Sequence, residues 1–396
     1  MNSNRNFKVV KTRNSRLKKE RGLLNTYFVS GQGVERKQEM RMFFSLKISR
    51  SIGICSIGER CPDCGSKETL LRRHRSFSLL VAFLFLINFC QVNAGELTVM
   101  FYNSCNYYVQ GDENGKEKIE SSKKALFQMI KAVSPDILVC AEIGSENGMR
   151  DLLSGLEKVE CKYPFSNFSS GEDSSRHIVF LSKIEPVFFE SRNNFTYQIR
   201  PKDKPRSHLE TVGIQRGFPH AVFKTSDGYT LHVIAAHLKS RLFHKRYNQT
   251  DMRRYEARLL KYYVNGIQSA NPKANILVVG DMNDTFNSDP MITLRSSEKT
   301  PDKRLYDLRP LDADGNAWTH WWNTEDSYGR IDYAYANLNL LPEIDLTKTK
   351  IPHIPELWFI ASDHRPVFVS IKTNDAPLPN DKLIENAFKD SIRIEK

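Results

Sequence analysis

Beyond residue 94 this 396-residue chain carries no surplus charge. The whole sequence is formally +12, yet residues 1–94 hold 18 Lys and Arg against 6 Asp and Glu, and the remainder holds 40 of each sign. An inference from bulk charge to a nucleic-acid partner is therefore excluded. The apolar run Phe77–Phe89 is about 13 residues long, short of the roughly 20 needed to span a bilayer comfortably. Cysteine is too sparse for a disulfide scaffold: only Cys105, Cys140 and Cys161 follow residue 94, so at most one bridge forms. Cys140 lies in an apolar run and reads as a small core residue. No second pair follows Cys61-Pro-Asp-Cys64, so a four-ligand zinc ribbon is not complete unless Cys55 and His74 contribute. No internal repeat or low-complexity tract follows residue 95, which excludes a solenoid.

What is present begins with a junction near residue 94. Arg72-Arg73-His74-Arg75, the apolar run, and then Val92-Asn93-Ala94 follow the basic, apolar and small-residue order of a secretory signal. Residues 71–94 are expected to be a signal peptide cleaved after Ala94, with an uncleaved signal anchor or a buried core helix as rivals. The protein is then expected to be secreted or periplasmic, and monomeric, touching membrane only through that segment. Residues 1–70 are basic and poor in periodic pattern, and read as disordered, in keeping with a start codon placed too far upstream. Residues 95–373 are expected to form one catalytic domain, and 374–396 a polar tail.

From Glu96 onward, strand-like and helix-like patterns alternate. Strands are expected at 97–102, 137–143, 178–181, 221–224, 229–236, 276–279, 331–336 and 367–371, with Asp227-Gly228 as a hairpin turn. Residues 118–133 have helical periodicity and stop at Ser134-Pro135-Asp136. Residues 252–268 predict a helix with Tyr255, Leu259, Tyr262 and Tyr263 inward and Arg253, Arg254, Arg258 and Lys261 on the polar side. Hairpins mixed with crossover helices predict an α+β fold of two sheets covered by helices.

Short polar motifs end the apolar runs: Tyr102–Asn106, Ala141-Glu142, His237–Arg241, Gly280–Asp284, Arg330–Tyr333 and Ser362–Pro366. Glu142 and Asp363 are hard oxygen ligands suited to Mg²⁺ or Mn²⁺. Asp281 and Asn283, two residues apart after one strand, are placed to face a common cleft, where a carboxylate activates water and an amide contacts a phosphoryl oxygen. His364 adjoins Asp363, Asp332 is a candidate to orient its imidazole, and His237 offers a second proton donor or phosphate contact. Any one of these alone is an ordinary turn former or polar residue. An ordered series at successive strand ends is the pattern of metal-assisted phosphate-ester hydrolysis.

At these residues the sequence resembles the endonuclease/exonuclease/phosphatase superfamily, of deoxyribonuclease I-like fold, over roughly residues 96–373. The resemblance implies a four-layer α/β sandwich of two packed mixed β-sheets flanked by helices, and a divalent cation, Mg²⁺ or Mn²⁺. It implies that Asn103 and Glu142 help bind metal with Asp363 close by, and that Asp281 and Asn283 position water and phosphate. His364 with Asp332, and His237, would bind the scissile phosphate and manage protons. Arg176 and Arg216 fall near positions where some members place a phosphate-binding arginine. Two departures stand out: Tyr107 follows Asn106 where an apolar residue is common, and Ala235-Ala236 replaces an Asn often found ahead of the strand-end His.

For the substrate, eight Lys or Arg and two Asp or Glu lie between Lys239 and Lys261, and Arg200, Lys202, Lys204 and Arg206 form a second basic cluster. Such loops suit a polyanionic backbone, with Tyr247, Tyr255 and the Trp318–Trp322 aromatics to stack on bases. The run from His237 through Arg254, Glu256 and Ala257 to Gly280–Asp284 is similar to exported bacterial nucleases of the superfamily. The expectation is an exported nuclease acting on DNA or RNA. The alternative is a lipid phosphodiesterase of the sphingomyelinase type, or another phosphatase of the superfamily, for which Leu357–Ile360 is the one short apolar candidate for membrane contact.

Overall fold

The computed structural model describes residues 95–112, 115–296 and 301–377. The signal-like segment, the Cys61–Cys64 pair and most of the C-terminal tail lie outside the described residues. In chain order the elements are β1 (Glu96–Tyr107), α1 (Glu120–Val133), β2 (Ile137–Ile143), α2 (Glu146–Lys158), β3 (Phe165–Ser169), β4 (His177–Ser182) and β5 (Pro186–Glu190). There follow β6 (Thr196–Ile199), β7 (Glu210–Gly213), β8 (His220–Lys224), β9 (Thr230–His237), α3 (Gln249–Ala270), β10 (Asn275–Asp281) and α4 (Asp289–Arg295). The last are β11 (Leu305–Asp307), β12 (His320–Trp322), β13 (Ser327–Gly329), β14 (Asp332–Asn337), α5 (Trp358–Ala361) and β15 (Val367–Lys372).

Two large sheets result, ordered β15-β1-β2-β4-β3 and β11-β14-β10-β9-β8-β5. Each is mixed: β1 and β2 run parallel across the α1 crossover, β9 and β10 run parallel across the α3 crossover, and the remaining pairs are antiparallel. Alternation along the strands sorts side chains into layers. Val99, Phe101, Val139, Phe180, Val233, Leu277 and Val369 meet between the sheets. Met100, Leu138, Cys140 and Val179 turn outward to α1 and α2, while Ile234, Ile276, Val278 and Tyr335 turn outward to α3 and α4. Burying each such side chain contributes roughly 1.5–3 kcal/mol relative to exposure. The expected four-layer sandwich is the observed one, and Cys105, Cys140 and Cys161 are all free.

The expected strands are all present, and the Asp227-Gly228 turn joins β8 to β9 with Gly228 in left-handed backbone. The helix face expected for α3 requires correction. Arg253 and Lys261 are buried and Tyr262 is 71% exposed. The buried stripe runs Met252, Glu256, Leu260 and Val264, one helical turn apart, with Arg253 and Lys261 beside it. Both cations are tolerated there because they find partners: Arg253 Nε lies 2.9 Å from Asp284 Oδ2, and Lys261 Nζ donates to the Lys303 carbonyl at 2.6 Å. The Leu357–Ile360 segment is not simply core either, since Phe359 and Ile360 of α5 are exposed.

Candidate active site

One edge of the sandwich collects the motifs because of strand direction. The parallel pairs β1/β2 and β9/β10 deliver their C-terminal ends there, and the antiparallel neighbours β14 and β15 deliver their N-terminal ends. Asp281 sits in register with both His237 and Asp332. Closeness between β9 and β10 depends on Gly280, since a Cβ there would lie 2.0 Å from the Ala236 carbonyl oxygen. Left-handed backbone marks the motif ends: Cys105, Asn106, Glu142 and Asn283 have φ of 51°, 52°, 62° and 52°. At Glu142 the β2 register slips against both neighbours, a bulge that re-aims the carboxylate toward β10.

The resulting contacts are short. Asn103 Nδ2 donates to Asp281 Oδ2 at 3.0 Å and to Glu142 Oε1 at 3.3 Å, while its amide oxygen accepts from Cys105 N–H. Asn106 N–H donates to Glu142 Oε2 at 2.9 Å. His237 Nε2 stands 3.7 Å from Glu142 Oε1 and 3.6 Å from Asp281 Oδ2. Asn283 N–H donates to Asp281 Oδ1 at 2.8 Å, and its side-chain amide donates to the Leu238 carbonyl. His364 Nδ1 pairs with Asp332 Oδ2 at 2.9 Å, which leaves Nε2 toward Asp281 Oδ2 and Asp363 Oδ1, each 3.9 Å away. Ser362 Oγ donates to the Asn103 carbonyl and accepts from His364 N–H, tying the start of β15 to the end of β1.

Electrostatics follow from this crowding. Burial, reinforced by the Asp332 charge, pushes the Asp281 carboxyl upward. Burial opposes charge on His364, but Asp332, Asp281 and Asp363 around it raise its imidazole well above the ordinary histidine range. His237 moves the other way, well below that range, through burial and then the nearby Arg216 cation. Burial and charge thus push the two imidazoles in opposite directions among four acidic side chains.

The sequence-predicted residues do not all meet. Glu142, His237 and Asp281 form one group with ligand atoms within 4.8 Å of one another, and Asp281, Asp332 and His364 form a second. Asp363 stands instead with His320 and His364. Arg216 is buried and committed to Asp173, at 2.8 Å, and to the Leu238 carbonyl, whereas Arg176 is more open, 4.0 Å from the same carboxylate. The sequence reading passed over Thr319, whose Oγ1 accepts from the N–H of Ile331 and Asp332 and so fixes the strand that presents Asp332. It passed over His320 as well, hidden in an aromatic run. The only signal for either was proximity to the Arg330–Tyr333 motif.

A divalent cation fits this donor set. Glu142 and Asp281 present carboxylate oxygens into one space, and a hard cation there would offset the cost of holding the buried Asp281 carboxylate beside the Asp332 charge.

Comparison with known proteins accords with this geometry. A model of the endonuclease/exonuclease/phosphatase family matches residues 108–326, more than half of the chain, and the chain belongs to that family. The family is one of phosphate-ester hydrolases, and that is the reaction class of this chain. The matched residues include Glu142, His237, Asp281 and Asn283; folding brings Asn103, Asp332, Asp363 and His364 to them from outside the match. Among solved structures, the chain is similar to truncated Caenorhabditis elegans TDP2 at 17% identity, covering 70% of this chain and 97% of that one with a TM-score of 0.45. It is similar to an endonuclease/exonuclease/phosphatase from Bacteroides vulgatus at 18% identity, covering 71% and 100% with a TM-score of 0.47. A third is the human Nocturnin catalytic domain with bound sulfate, at 15% identity, covering 70% and 95% with a TM-score of 0.47. No curated protein matches the sequence.

Proposed function

We propose that this protein is a divalent-metal-dependent phosphodiesterase, an exported and monomeric nuclease that hydrolyses DNA or RNA. The observation that carries the reaction is the convergence of Glu142, Asp281, His237 and the Asp332–His364 pair on one edge of the sandwich. Glu142, with Asn103 and Asp281 beside it and Asp363 at the rim, would hold Mg²⁺ or Mn²⁺. When bound, that ion supplies charge neutralisation at the scissile phosphate. Asp281, steadied by Asn283 N–H, takes the proton of the attacking water. His364, held by Asp332 with Nε2 outward, contacts the phosphate and gives a proton toward the leaving oxygen. The neutral His237 is a hydrogen-bond donor on the same face, and Arg176 remains available to a phosphoryl oxygen.

A nucleic-acid substrate is supported by the ribbon β12–β13, where Trp322 and Tyr328 are exposed and Trp321 N–H donates to the Asp363 carbonyl. Arg253 and Lys261 no longer count toward the basic surface, which narrows it to exposed residues such as Arg241, Lys245 and Arg258. Export rests on the residues 71–94 pattern alone.

A second reading, a lipid phosphodiesterase, is favoured by one observation. Leu242 and Phe243 after the His237 strand, and Phe359 and Ile360 before Asp363, are exposed apolar pairs on segments that flank the site. Assays on plasmid DNA, RNA and sphingomyelin vesicles in parallel, with Mg²⁺ or Mn²⁺, separate the two. Nucleic-acid cleavage is expected; turnover of sphingomyelin alone would transfer the protein to the lipid branch.

A further inference from the structure

We propose that His320, Asp363 and His364 form a second cation site, selective for a borderline ion such as Zn²⁺ or Co²⁺ over Mg²⁺, and that filling it silences the enzyme because the ion displaces the proton of His364 Nε2 to solvent and takes its place. The three side chains offer ligand atoms within 4.8 Å of one another. The two rings pack on each other with centroids 4.6 Å apart, and the Asp363 carboxylate reaches both, with Oδ2 3.9 Å from His320 Nε2 and Oδ1 3.9 Å from His364 Nε2. An ion about 2.0–2.1 Å from each ligand sets those atoms roughly 3.3 Å apart, so small side-chain rotations close the set.

The arrangement is built into the backbone. His320 and His364 form an antiparallel bridge, Trp321 N–H donates to the Asp363 carbonyl at 2.9 Å, and Arg365 N–H donates to the Thr319 carbonyl at 2.6 Å. Asp332 on Nδ1 of His364 supplies the carboxylate–histidine contact that orients and strengthens a metal-ligating imidazole. The His320 ring has no hydrogen-bond partner among the described residues, so its nitrogens are uncommitted. The Asp363 side chain is 43% exposed and that of His320 22%, which gives an ion a way in and leaves room for water as a further ligand.

This site shares Asp363 with the rim of the one proposed for the catalytic ion, and differs from it in ligand chemistry. Two imidazoles and one carboxylate favour zinc or cobalt, whereas Mg²⁺ prefers all-oxygen surroundings and is better served by Glu142 and Asp281. Binding itself does not depend on the reaction. The silencing rests on the reading of His364 as a group that works at the phosphate.

The test is calorimetric titration of the full chain with Zn²⁺ alone and in excess Mg²⁺, alongside the visible spectrum of the Co²⁺-loaded protein. Wild type, His320→Asn and Glu142→Gln are compared. Wild type should bind Zn²⁺ despite excess Mg²⁺ and give the visible bands of nitrogen-ligated Co²⁺. His320→Asn should weaken Zn²⁺ by roughly tenfold or more and raise by the same factor the Zn²⁺ needed to halve that variant's own Mg²⁺-supported turnover. Glu142→Gln should keep Zn²⁺ affinity. Unchanged Zn²⁺ binding in His320→Asn, or binding lost in Glu142→Gln or displaced by Mg²⁺, overturns the site. A protein inactive on every phosphodiester would refute the phosphodiesterase reading, and the calorimetry would still decide the site.

Discussion

Asp332 Oδ2 and His364 Nδ1 are 2.9 Å apart in a buried contact that ties the first residue of β14 to the segment just ahead of β15, 32 residues apart in sequence. The pair fixes which ring nitrogen faces the cleft, and the Asp332 charge favours the protonated imidazole against the cost of burial. β14 and β15 belong to different sheets, so packing of the two sheets is what brings the pair together.

Replacing Asp332 by Asn keeps the shape but removes the charge that holds the proton. Turnover is expected to fall by about 10²–10⁴-fold, and the His364 imidazole should titrate at lower pH by NMR than in wild type. An unshifted His364 titration with normal turnover would remove Asp332 from the mechanism.

Gly280 is the point of closest approach between β9 and β10. In Gly280→Ala the added methyl meets backbone, not a movable side chain, so the strands must part. A loss of roughly 1–3 kcal/mol or more in urea unfolding is expected, with activity falling further because Asp281 is the next residue. Wild-type stability would show that β9 and β10 are not held so tightly.

Stability should also depend on Glu343, which is buried against Tyr229 and pushed up to about 7 by that burial. Its carboxyl is raised, so the folded state binds the extra proton between the unfolded value near 4.5 and 7. The contribution is therefore complete below about pH 4.5 and is lost as pH rises through 7. Glu343→Gln should show no loss in that window and should exceed wild type above pH 7 by an amount on the order of 1–3 kcal/mol. Parallel pH curves for the two proteins in denaturant unfolding would contradict this.

Much of the fold was legible because the central strands are continuous apolar runs, such as Ile137–Ile143, buried on both faces. The strands not expected from sequence lack that signature: β3 is half-buried at a sheet edge, β5 begins with Pro186, and β11 and the ribbons β6–β7 and β12–β13 are short. The α3 face was misread because the partner that makes Arg253 burial acceptable, Asp284, lies 31 residues away. The same limit applied to the site. Strand-end carboxylates and histidines announce themselves by spacing, whereas grouping Asp363 with His320 depends on a bridge between segments that only the folded chain brings together.

Metal-assisted hydrolysis at this edge of the sandwich is decided by phosphodiester cleavage of plasmid DNA by the purified protein with Mg²⁺ or Mn²⁺, against EDTA and Asp281→Ala. Cleavage is expected that EDTA abolishes and that Asp281→Ala lowers by several orders of magnitude, with the variant still folded by circular dichroism. Cleavage that persists in EDTA, or near-normal turnover by Asp281→Ala, would contradict both the metal requirement and the assignment of this edge of the sandwich as the active site.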